Sequence, residues 1–344
     1  MSSDSIASPA LNAKPQAQVP APGRVLVTGA TGFVGHRLCQ WLAGQGVEVN
    51  GAVRQSSPEN VELVPPPPFS QVAVGEINGE TDWKAALEGV SQVVHLAALA
   101  HLPNPDSAQG LAHIHAVNVE GAVNLARQAL AAGVKRLVFV SSAKVYGEAT
   151  NGHGHAWDET TPPDPQEPYA ASKWEAEQAL QTLLGGTPLE LVVVRPPLVY
   201  GPGVKANMLR LLKLAASGRP MPLGSLKNER TFVALDNLCD LLRVCLTHPA
   251  AAGQVFNAGE EEPLSTPVLL RRMARHLQSG TKVCPMPLPL VRLAFTLLGQ
   301  GGVWAKLGGD LRLNVSKSQQ LLGWQPPLLA DDALQQMTDW YLKQ

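Results

Sequence analysis

Near its amino end the chain reads Val25-Leu-Val-Thr-Gly29-Ala-Thr-Gly32-Phe-Val-Gly35. The apolar residues before Gly29 predict a short buried strand, and the amphipathic stretch from 32 to 45 predicts a helix directly after it. Three glycines spaced three residues apart have separate uses at such a junction: a tight turn, close approach of another group to the backbone, and packing of the helix on the strand. Because amide groups at a helix amino terminus attract anions, the junction predicts a dinucleotide pyrophosphate site rather than an ordinary strand–helix turn.

Outward from this junction, strand-like and helix-like segments alternate as far as residue 195. Most of the strands are apolar without a break, which is typical of a parallel sheet covered by helices on both faces. The sequence therefore predicts an α/β fold with a doubly wound parallel sheet of the Rossmann type. Strands are expected at 24–28, 48–53, 71–76, 92–97, 136–142 and 189–195, with helices at 32–45, 82–88 and 108–132 and another from 168.

The pattern loosens after residue 195 and divides the chain. We expect a disordered tail over 1–23, an NAD(P)-binding domain over 24–195, and a smaller mixed α/β substrate-binding lobe over 196–344. It stays open whether a segment of this lobe also adds to the parallel sheet of the first domain. The lobe is expected to contain short strands at 230–233 and 254–257 and helices at 206–217, 235–247, 265–278, 288–299 and 331–342.

Charge and composition exclude several kinds of protein. The 27 basic residues nearly balance the 28 acidic ones, so no basic face for nucleic acid is expected. The four cysteines are scattered, and His153 with His155 offers too few ligands, so neither a disulfide framework nor a metal site is expected. The absence of an 18-residue apolar run and of an apolar signal segment favours a cytoplasmic protein without a membrane span. The apolar segment 288–298 is expected to be a lobe helix, with an amphipathic membrane contact as the alternative.

The end of the second predicted strand indicates which dinucleotide is bound. An acidic side chain there would accept hydrogen bonds from the ribose of NAD and repel the 2′-phosphate of NADP. Val53 occupies that position and Arg54 follows it, and a guanidinium can pair with a phosphate. We therefore expect NADP(H) to be preferred, with NAD(H) as the alternative.

The segment Tyr169-Ala-Ala-Ser-Lys173 places a phenol and an ammonium on one face of the helix that begins near 168. A phenol has a pKa near 10 and is a weak acid–base group at neutral pH. A neighbouring ammonium, together with the positive nicotinamide, would lower that pKa. Ser142, at the end of the fifth predicted strand, can hydrogen-bond the substrate oxygen. These residue types suit hydride transfer between a carbinol carbon and C4 of nicotinamide.

Taken in order, the motifs of this chain resemble those of the extended short-chain dehydrogenase/reductases, and within them the nucleotide-sugar epimerase/dehydratase family. The resemblance extends from about Arg24 to the carboxyl terminus. The motifs that carry it are Gly29-x-x-Gly32-x-x-Gly35, His95-Leu-Ala-Ala98, Asn118-Val-Glu-Gly, Ser141-Ser142-Ala-Lys-Val-Tyr-Gly147, Tyr169-x-x-x-Lys173 and Arg195-Pro-Pro-Leu-Val-Tyr-Gly-Pro202.

This resemblance implies roles for individual residues. Catalysis falls to Ser142, Tyr169 and Lys173, of which the last two also contact the cofactor. Further cofactor contacts are implied along the carboxyl edge of the sheet, with the last three of the set beside the nicotinamide: Gly29, Thr31, Gly32, Phe33, Val34, Gly35, Arg54, Glu76, Ile77, Leu96, Ala97, Ala98, Asn118, Pro196, Leu198 and Val199.

A binding site for a nucleotide-sugar, and in particular a UDP-sugar, is implied in the same way. Arg230, ahead of a short predicted strand, matches the arginine that grips the nucleotide diphosphate in this family. The second arginine common in the family is absent from 307–310, and Arg312 is the candidate in its place. Lys144 and Asn207 complete the expected substrate set. Because the family often pairs through the helices expected near 108–132 and 168–184, a homodimer is also expected.

The two residues after the catalytic serine reduce the number of reactions that the enzyme could catalyse. The 4,6-dehydratases of the family carry an Asp-Glu pair there to expel water, whereas this chain has Ala143-Lys144. Two reactions stay open: reduction of a 4-keto-sugar, which consumes the cofactor, and 4-epimerisation, which retains it. The expected NADPH preference favours reduction, and segments 204–208 and 220–224 resemble bacterial UDP-4-keto-6-deoxy-N-acetylglucosamine 4-reductases of surface-polysaccharide synthesis. A nucleotide-sensing regulator without turnover is the alternative of another class, and the presence of all three catalytic residues disfavours it.

Overall fold

The computed structural model describes residues 20–55, 68–100, 102–150, 155–297, 299, 304 and 307–344. Two of the expectations above concern residues outside this part of the chain. They are the disordered tail over 1–23, of which only the last four residues are described, and the histidine at 153. Within it, no helix is long and apolar enough to cross a membrane.

A seven-stranded sheet forms the centre of the molecule, and its order is β3-β2-β1-β4-β5-β6-β9. Every neighbouring pair runs parallel. Strand order reverses beside β1, as in a doubly wound sheet, and ligands bind such sheets at the carboxyl edge next to this point. The predicted α/β Rossmann-type fold is therefore confirmed. The strands are β1 (Val25–Thr28), β2 (Val49–Val53), β3 (Ser70–Ala73), β4 (Gln92–His95), β5 (Arg136–Val140), β6 (Glu190–Arg195) and β9 (Val255–Asn257).

Helices cover both faces of the sheet because its strands are apolar on both sides. Val25 and Val27 of β1 pack into the core under α1 and α6, whereas Leu26 between them packs into the core under α3 and α4. Side chains alternate across a strand, so a strand buried on both faces must be apolar at every position. The helices are α1 (Phe33–Gly44), α2 (Ala108–His115), α3 (Gly121–Ala131), α4 (Pro168–Leu184) and α6 (Leu235–Thr247), with a π-helical segment (Ala116–Glu120) between α2 and α3.

The smaller lobe has its own core and also returns to the sheet. A two-stranded parallel pair, β7 (Leu198–Tyr200) and β8 (Phe232–Ala234), joins it to the sheet domain. Strand β9 extends the large sheet beyond β6, so residues after 195 belong to both units. The remaining helices are α5 (Ala206–Ala216), α7 (Thr266–His276), α8 (Leu288–Leu297), α9 (Ser316–Leu322) and α10 (Ala330–Leu342).

The structure differs from the sequence expectation at four places. Segment 82–88 forms turns rather than a regular helix: the Leu87 amide donates to the Trp83 carbonyl at 2.9 Å, and Gly89, with a φ of 67°, ends the segment before a second turn can follow. The single helix expected over 108–132 contains the π-helical segment. Strand β7 and helix α9 were not expected, since three to seven residues give too short a periodic pattern to identify an element.

The glycine turn brings α1 against β1 more closely than any other residue type would allow. Gly29 has a φ of 70°, in the left-handed region, and its carbonyl accepts the Gly32 amide proton at 2.8 Å. A Cβ atom on Gly35 would lie 2.1 Å from the Gly29 carbonyl oxygen. The first turn of α1 therefore rests directly on the backbone of the preceding turn.

We expect Gly35→Ala to lower the free energy of unfolding by about 2 kcal/mol or more, because the new methyl group has to displace backbone rather than a side chain. Urea unfolding followed by circular dichroism measures the change. Gly44→Ala, in the same helix, is the matched control, since its Cβ meets nothing within 4 Å. That substitution should raise stability by up to about 1 kcal/mol. Equal effects at the two positions would contradict the close approach.

Candidate active site

Two neighbouring cavities lie along the carboxyl edge of the sheet, and the glycine turn lines both. The larger measures about 470 Å³ and the smaller about 290 Å³. Gly29, Gly32, Leu96 and Ala98 are common to the two linings, so the cavities form one two-lobed cleft around the switch point of the sheet. This shape and the amide-rich turn at its centre fit a dinucleotide, with its pyrophosphate at the amino terminus of α1.

The larger cavity lies between the glycine turn and the ends of β2 and β3. Nine of the residues assigned to the cofactor by resemblance line this cavity: Gly29, Thr31, Gly32, Arg54, Glu76, Ile77, Leu96, Ala97 and Ala98. Arg54 directly follows β2 and is exposed. His113 and Val117 also line the cavity, which the sequence reasoning missed because only the fold brings α2 over this edge.

The smaller cavity brings together the three expected catalytic residues. Ser142 follows β5 and caps a short 3₁₀ turn, with its Oγ accepting the Lys144 amide proton at 3.2 Å. Tyr169 lies in the first turn of α4 and Lys173 one turn later, so both side chains face the cavity. The rest of the lining consists of Gly29, Gly32, Phe33, Val34, Gly35, Leu96, Ala98, Val140, Ser141, Pro196, Pro197 and Val199.

Lys173 is buried in apolar surroundings, which changes its protonation. Its Nζ lies 4.1 Å from the centroid of the Phe139 ring. Burial lowers the pKa of Lys173 to about 7, and the carboxylate of Glu177 only partly offsets this effect. Near neutral pH the amine therefore exchanges readily between its charged and neutral forms.

His95 packs beside Lys173 and stays neutral. Its ring stacks on Phe139 at 5.8 Å, and its Nδ1 shares a hydrogen bond of 2.8 Å with Thr28 Oγ1. Burial, with a smaller contribution from the charge of Lys173, lowers the pKa of His95 to about 3. The prediction that His95 is a packed, hydrogen-bonded histidine agrees with this environment. Thr28 Oγ1 also accepts the Leu96 and Ala97 amide protons, which fixes the loop between the two cavities.

The Tyr169 phenol behaves differently from the sequence expectation. Burial raises its pKa to about 12, and no charge among the described residues opposes this shift. The lowering expected from Lys173 is therefore not produced by the protein alone, because burial also weakens the charge of that lysine. At neutral pH the phenol keeps its proton and can donate it into the cavity.

Two residues assigned to the cofactor lie elsewhere. Asn118 is buried in the π-helical segment, where its Oδ1 accepts the Leu99 amide proton at 2.7 Å and its Nδ2 donates to Ser172 Oγ at 2.9 Å. It fastens the loop after β4 to helix α4, so it positions the cavity wall. Leu198 is exposed and lines neither cavity, although Val199 lines the smaller one, because neighbouring residues of β7 face opposite ways.

The expected substrate residues are largely paired with carboxylates. Lys144 forms ion pairs with Glu148, at 3.2 Å, and with Glu167. Arg312 pairs with Glu229 at 2.9 Å. An anionic substrate would therefore compete with carboxylates that already neutralise these cations.

Arg230 and Asn207 belong to the lobe. The Nη1 of Arg230 donates to the Gly309 carbonyl at 3.0 Å, and burial lowers its pKa while the carboxylate of Glu148 opposes that shift. Glu148 thus interacts with both Arg230 and Lys144, which places these two expected substrate residues in one region. Asn207 is exposed at the start of α5, directly after Ala206, whose φ of 52° is unusual for a residue with a Cβ.

A buried ion pair between Glu177 and Arg195 connects helix α4, which carries Tyr169 and Lys173, to the sheet. Glu177, one turn after Lys173 in α4, accepts hydrogen bonds from Arg195 at the end of β6. Arg195 Nη1 also donates to Tyr146 Oη at 2.8 Å, and that hydroxyl donates to Asn257 Oδ1 at 2.9 Å. The network joins α4, β6, β9 and the turn after Ser142, so the positions of the three catalytic candidates are linked.

The lowered pKa of Lys173 predicts how stability depends on pH. An unfolded lysine titrates near 10.5 and the folded one near 7, so the unfolded chain binds more protons between these values. The free energy of unfolding should therefore rise with pH over this window, by up to about 1.4 kcal/mol per pH unit. Above about pH 9 the buried thiols oppose this rise, because burial raises the pKa of a thiol such as Cys39 from 9.0 to about 12.

Urea unfolding between about pH 7 and about pH 9 measures this slope. Lys173→Met should flatten it, because the methionine does not titrate. Lys135→Met, at an exposed position, is the control and should keep the slope. Parallel slopes for the unmodified chain and Lys173→Met would contradict the effect of burial.

Comparisons with known proteins agree with this fold and site. The sequence model of the NAD dependent epimerase/dehydratase family matches residues 25–259. The chain is 37% identical over 331 residues to UDP-glucose 4-epimerase of Vibrio cholerae, covering 94% of this chain and 96% of that protein. It is 30% identical over 268 residues to N-acetyl-alpha-D-glucosaminyl-diphospho-ditrans,octacis-undecaprenol 4-epimerase of Escherichia coli O157:H7, covering 77% and 76% respectively.

A solved structure extends the agreement in fold over almost the whole chain. UDP-glucuronic acid 4-epimerase from Bacillus cereus in complex with NAD superposes with a TM-score of 0.73 at 21% identity, covering 93% of this chain and 99% of that one. The family match spans more than half of the sequence and includes the glycine turn, the catalytic candidates and β9. This chain is therefore a member of the NAD dependent epimerase/dehydratase family, whose members are NAD-dependent oxidoreductases and epimerases.

Proposed function

We propose that this enzyme uses NADPH to reduce the C4 keto group of a nucleotide-activated 6-deoxy sugar of the UDP-4-keto-6-deoxy-HexNAc type. The observation that carries the proposal is the end of β2. Val53 and Arg54 line the larger cavity where an acidic residue would select NAD, and the Arg54 side chain is exposed. A reductase draws on NADPH in each turnover, whereas an epimerase has no need of a reduced cofactor pool.

The smaller cavity supports a reduction in the following way. When bound there, the nicotinamide supplies a hydride to C4 of the keto-sugar. Ser142 holds the carbonyl oxygen through its hydroxyl, and Tyr169 donates its phenolic proton to the same oxygen as negative charge develops on it. The pKa of Tyr169, raised to about 12 by burial, supports this role because the phenol begins the reaction protonated. Lys173 binds the nicotinamide ribose and resupplies positive charge beside the phenol.

Dehydration of the sugar is disfavoured at this site. The positions after Ser142 carry Ala143, which is buried, and Lys144, which pairs with two glutamates. These positions therefore lack the Asp-Glu pair that expels water from C5 and C6 in the dehydratases of the family. The reaction is therefore limited to chemistry at C4.

The substrate class rests on the relatives and on the lobe. UDP-glucose and the undecaprenol-linked N-acetylglucosamine named for the two relatives are both sugars on a diphosphate. Arg230 is proposed to bind that diphosphate, with Lys144, Asn207 and Arg312 as further contacts. We expect the reaction to take place in the cytoplasm, and pairing of two copies through α2, α3 and α4 stays a prediction.

A 4-epimerase is the second candidate, and the names of both relatives favour it. In that reaction Tyr169 would take the proton of the 4-hydroxyl group, the oxidised nicotinamide would accept the hydride of C4, and the hydride would afterwards return to the other face of the resulting keto carbon while Tyr169 returned the proton to its oxygen. In that case Tyr169 must start as a phenolate, which requires the positive charge of oxidised nicotinamide to lower its pKa. The two candidates therefore differ in which form of the cofactor starts the cycle.

Cofactor choice gives the first prediction of this proposal. The unmodified enzyme should bind NADPH more tightly than NADH, and Val53→Asp with Arg54→Asn should reverse the order, because a carboxylate at the end of β2 repels the 2′-phosphate. Fluorescence titration of the two reduced cofactors measures both affinities. Arg127→Ala, at an exposed position on α3, is the control and should leave the ratio unchanged. Tighter binding of NADH by the unmodified enzyme would refute the preference.

The fate of the hydride tests the reaction itself. With NADPH deuterated at C4, a reductase should consume one cofactor for each sugar and leave the deuterium on C4 of the product. Tyr169→Phe removes the proton donor but keeps the ring, so it should lower kcat by roughly 10²–10⁴ while cofactor binding persists. Mass spectrometry of the sugar and absorbance of NADPH provide the readouts. If a 4-keto-sugar oxidises no NADPH while UDP-hexose epimers interconvert, the enzyme is an epimerase.

A further inference from the structure

Helix α8 of the lobe has two apolar faces, only one of which is packed. Val291 is 2% exposed and Phe295 packs against Trp304, with their rings 5.7 Å apart, so these side chains face the core of the lobe. Leu290, Leu293 and Leu297 are exposed by 57%, 53% and 78%. Their spacing of three and four residues aligns them on the opposite side, as an apolar stripe along the outside of the helix.

This outer stripe continues into the segment before the helix. Met286 in that segment is exposed, as is Leu288, the first residue of the helix. The segment is held in place by Met221, whose amide donates to the Lys282 carbonyl and whose carbonyl accepts the Cys284 amide proton. The apolar surface is thus part of an ordered region of the lobe. A helix in water needs one apolar face, so a second exposed one indicates a further contact.

The chain segments that contain and adjoin α8 are rich in basic residues, of which Arg272 and Arg275 are paired with Glu262 and Asp331. Residues 201–228 contain five lysines and arginines, residues 263–297 contain five more, and neither segment contains an aspartate or a glutamate. Lys282 and Arg292 are exposed beside the stripe, and the structure records no ion pair for either within the described residues. The chain as a whole is nearly neutral, with 27 basic and 28 acidic residues, so this basic region is local.

We propose that α8 lies on the surface of an anionic phospholipid bilayer, with Leu290, Leu293 and Leu297 inserted among the acyl chains and Lys282 and Arg292 at the headgroups. Helices that lie in the membrane interface typically have leucines on one side and basic residues at the flank. The length agrees, since an apolar helix of ten residues is too short to span a bilayer.

A second copy of the chain is a poorer occupant of this face. In a twofold contact through α8, the face that carries Arg292 and Lys282 would meet the same basic face of the second copy, and like charges oppose such pairing. A stripe of three leucines is also much smaller than the area that stable dimers bury. Anionic lipid headgroups, in contrast, complement the basic charge.

Flotation of the full chain with lipid vesicles tests the proposal. The protein should float with vesicles of phosphatidylcholine mixed with phosphatidylglycerol and bind vesicles of phosphatidylcholine alone more weakly. Leu290→Gln with Leu293→Gln should lower the partition coefficient at least about tenfold, because two apolar side chains no longer insert. Lys282→Gln with Arg292→Gln should lower it roughly fivefold for each charge on the anionic vesicles only.

The matched control is Leu329→Gln with Leu342→Gln, which changes two equally exposed leucines of α10 and its start, at 72% and 62%. Its partition coefficient should equal that of the unmodified chain. Circular dichroism checks that each variant folds, and Leu297→Gln at the most exposed position replaces the double variant if it does not. Failure of the unmodified chain to float, or an equal loss in the α10 control, refutes the proposal. A dimer that Leu290→Gln with Leu293→Gln dissociates, in sedimentation without lipid, refutes it as well.

Discussion

The contact between the backbone of the Gly29 turn and the first turn of α1 is the constraint on which the rest of this molecule depends. A Cβ at Gly35 would lie 2.1 Å from the Gly29 carbonyl oxygen, so the amino terminus of α1 approaches the sheet as closely as backbone allows. Both cavities meet at this turn, because Gly29 and Gly32 line each of them. Thr28 Oγ1 on the adjoining strand then holds the loop after β4, which forms the opposite wall.

The features that could be predicted from the sequence are those set by neighbours along the chain. The strand, the glycine turn and α1 follow from a short run of residues with fixed spacing. Tyr169 and Lys173 share a cavity because four residues make one helical turn, which holds in any helix. The parallel sheet followed from uninterrupted apolar strands, since a strand covered on both faces has no place for polar side chains.

Features set by distant partners were not predictable in this way. The sequence shows Lys144 as a free cation, but the fold places Glu167 next to it, 23 residues further along the chain. Asn118 matched a cofactor motif, yet its partners, Leu99 and Ser172, bind it inside the wall. The protonation of Lys173 and Tyr169 likewise depends on burial, which exists only once the sheet, α4 and the lobe have come together.

The π-helical segment over Ala116–Glu120 sets the rotational phase between α2 and α3. A π turn holds one residue more than an α turn, so removing one residue here would restore a continuous α-helix and rotate α2 by about 100° relative to α3. His113 and Val117 would then turn away from the larger cavity, while α3 kept its packing on the sheet. The number of residues in this helix is therefore as much a part of the binding site as any residue in it.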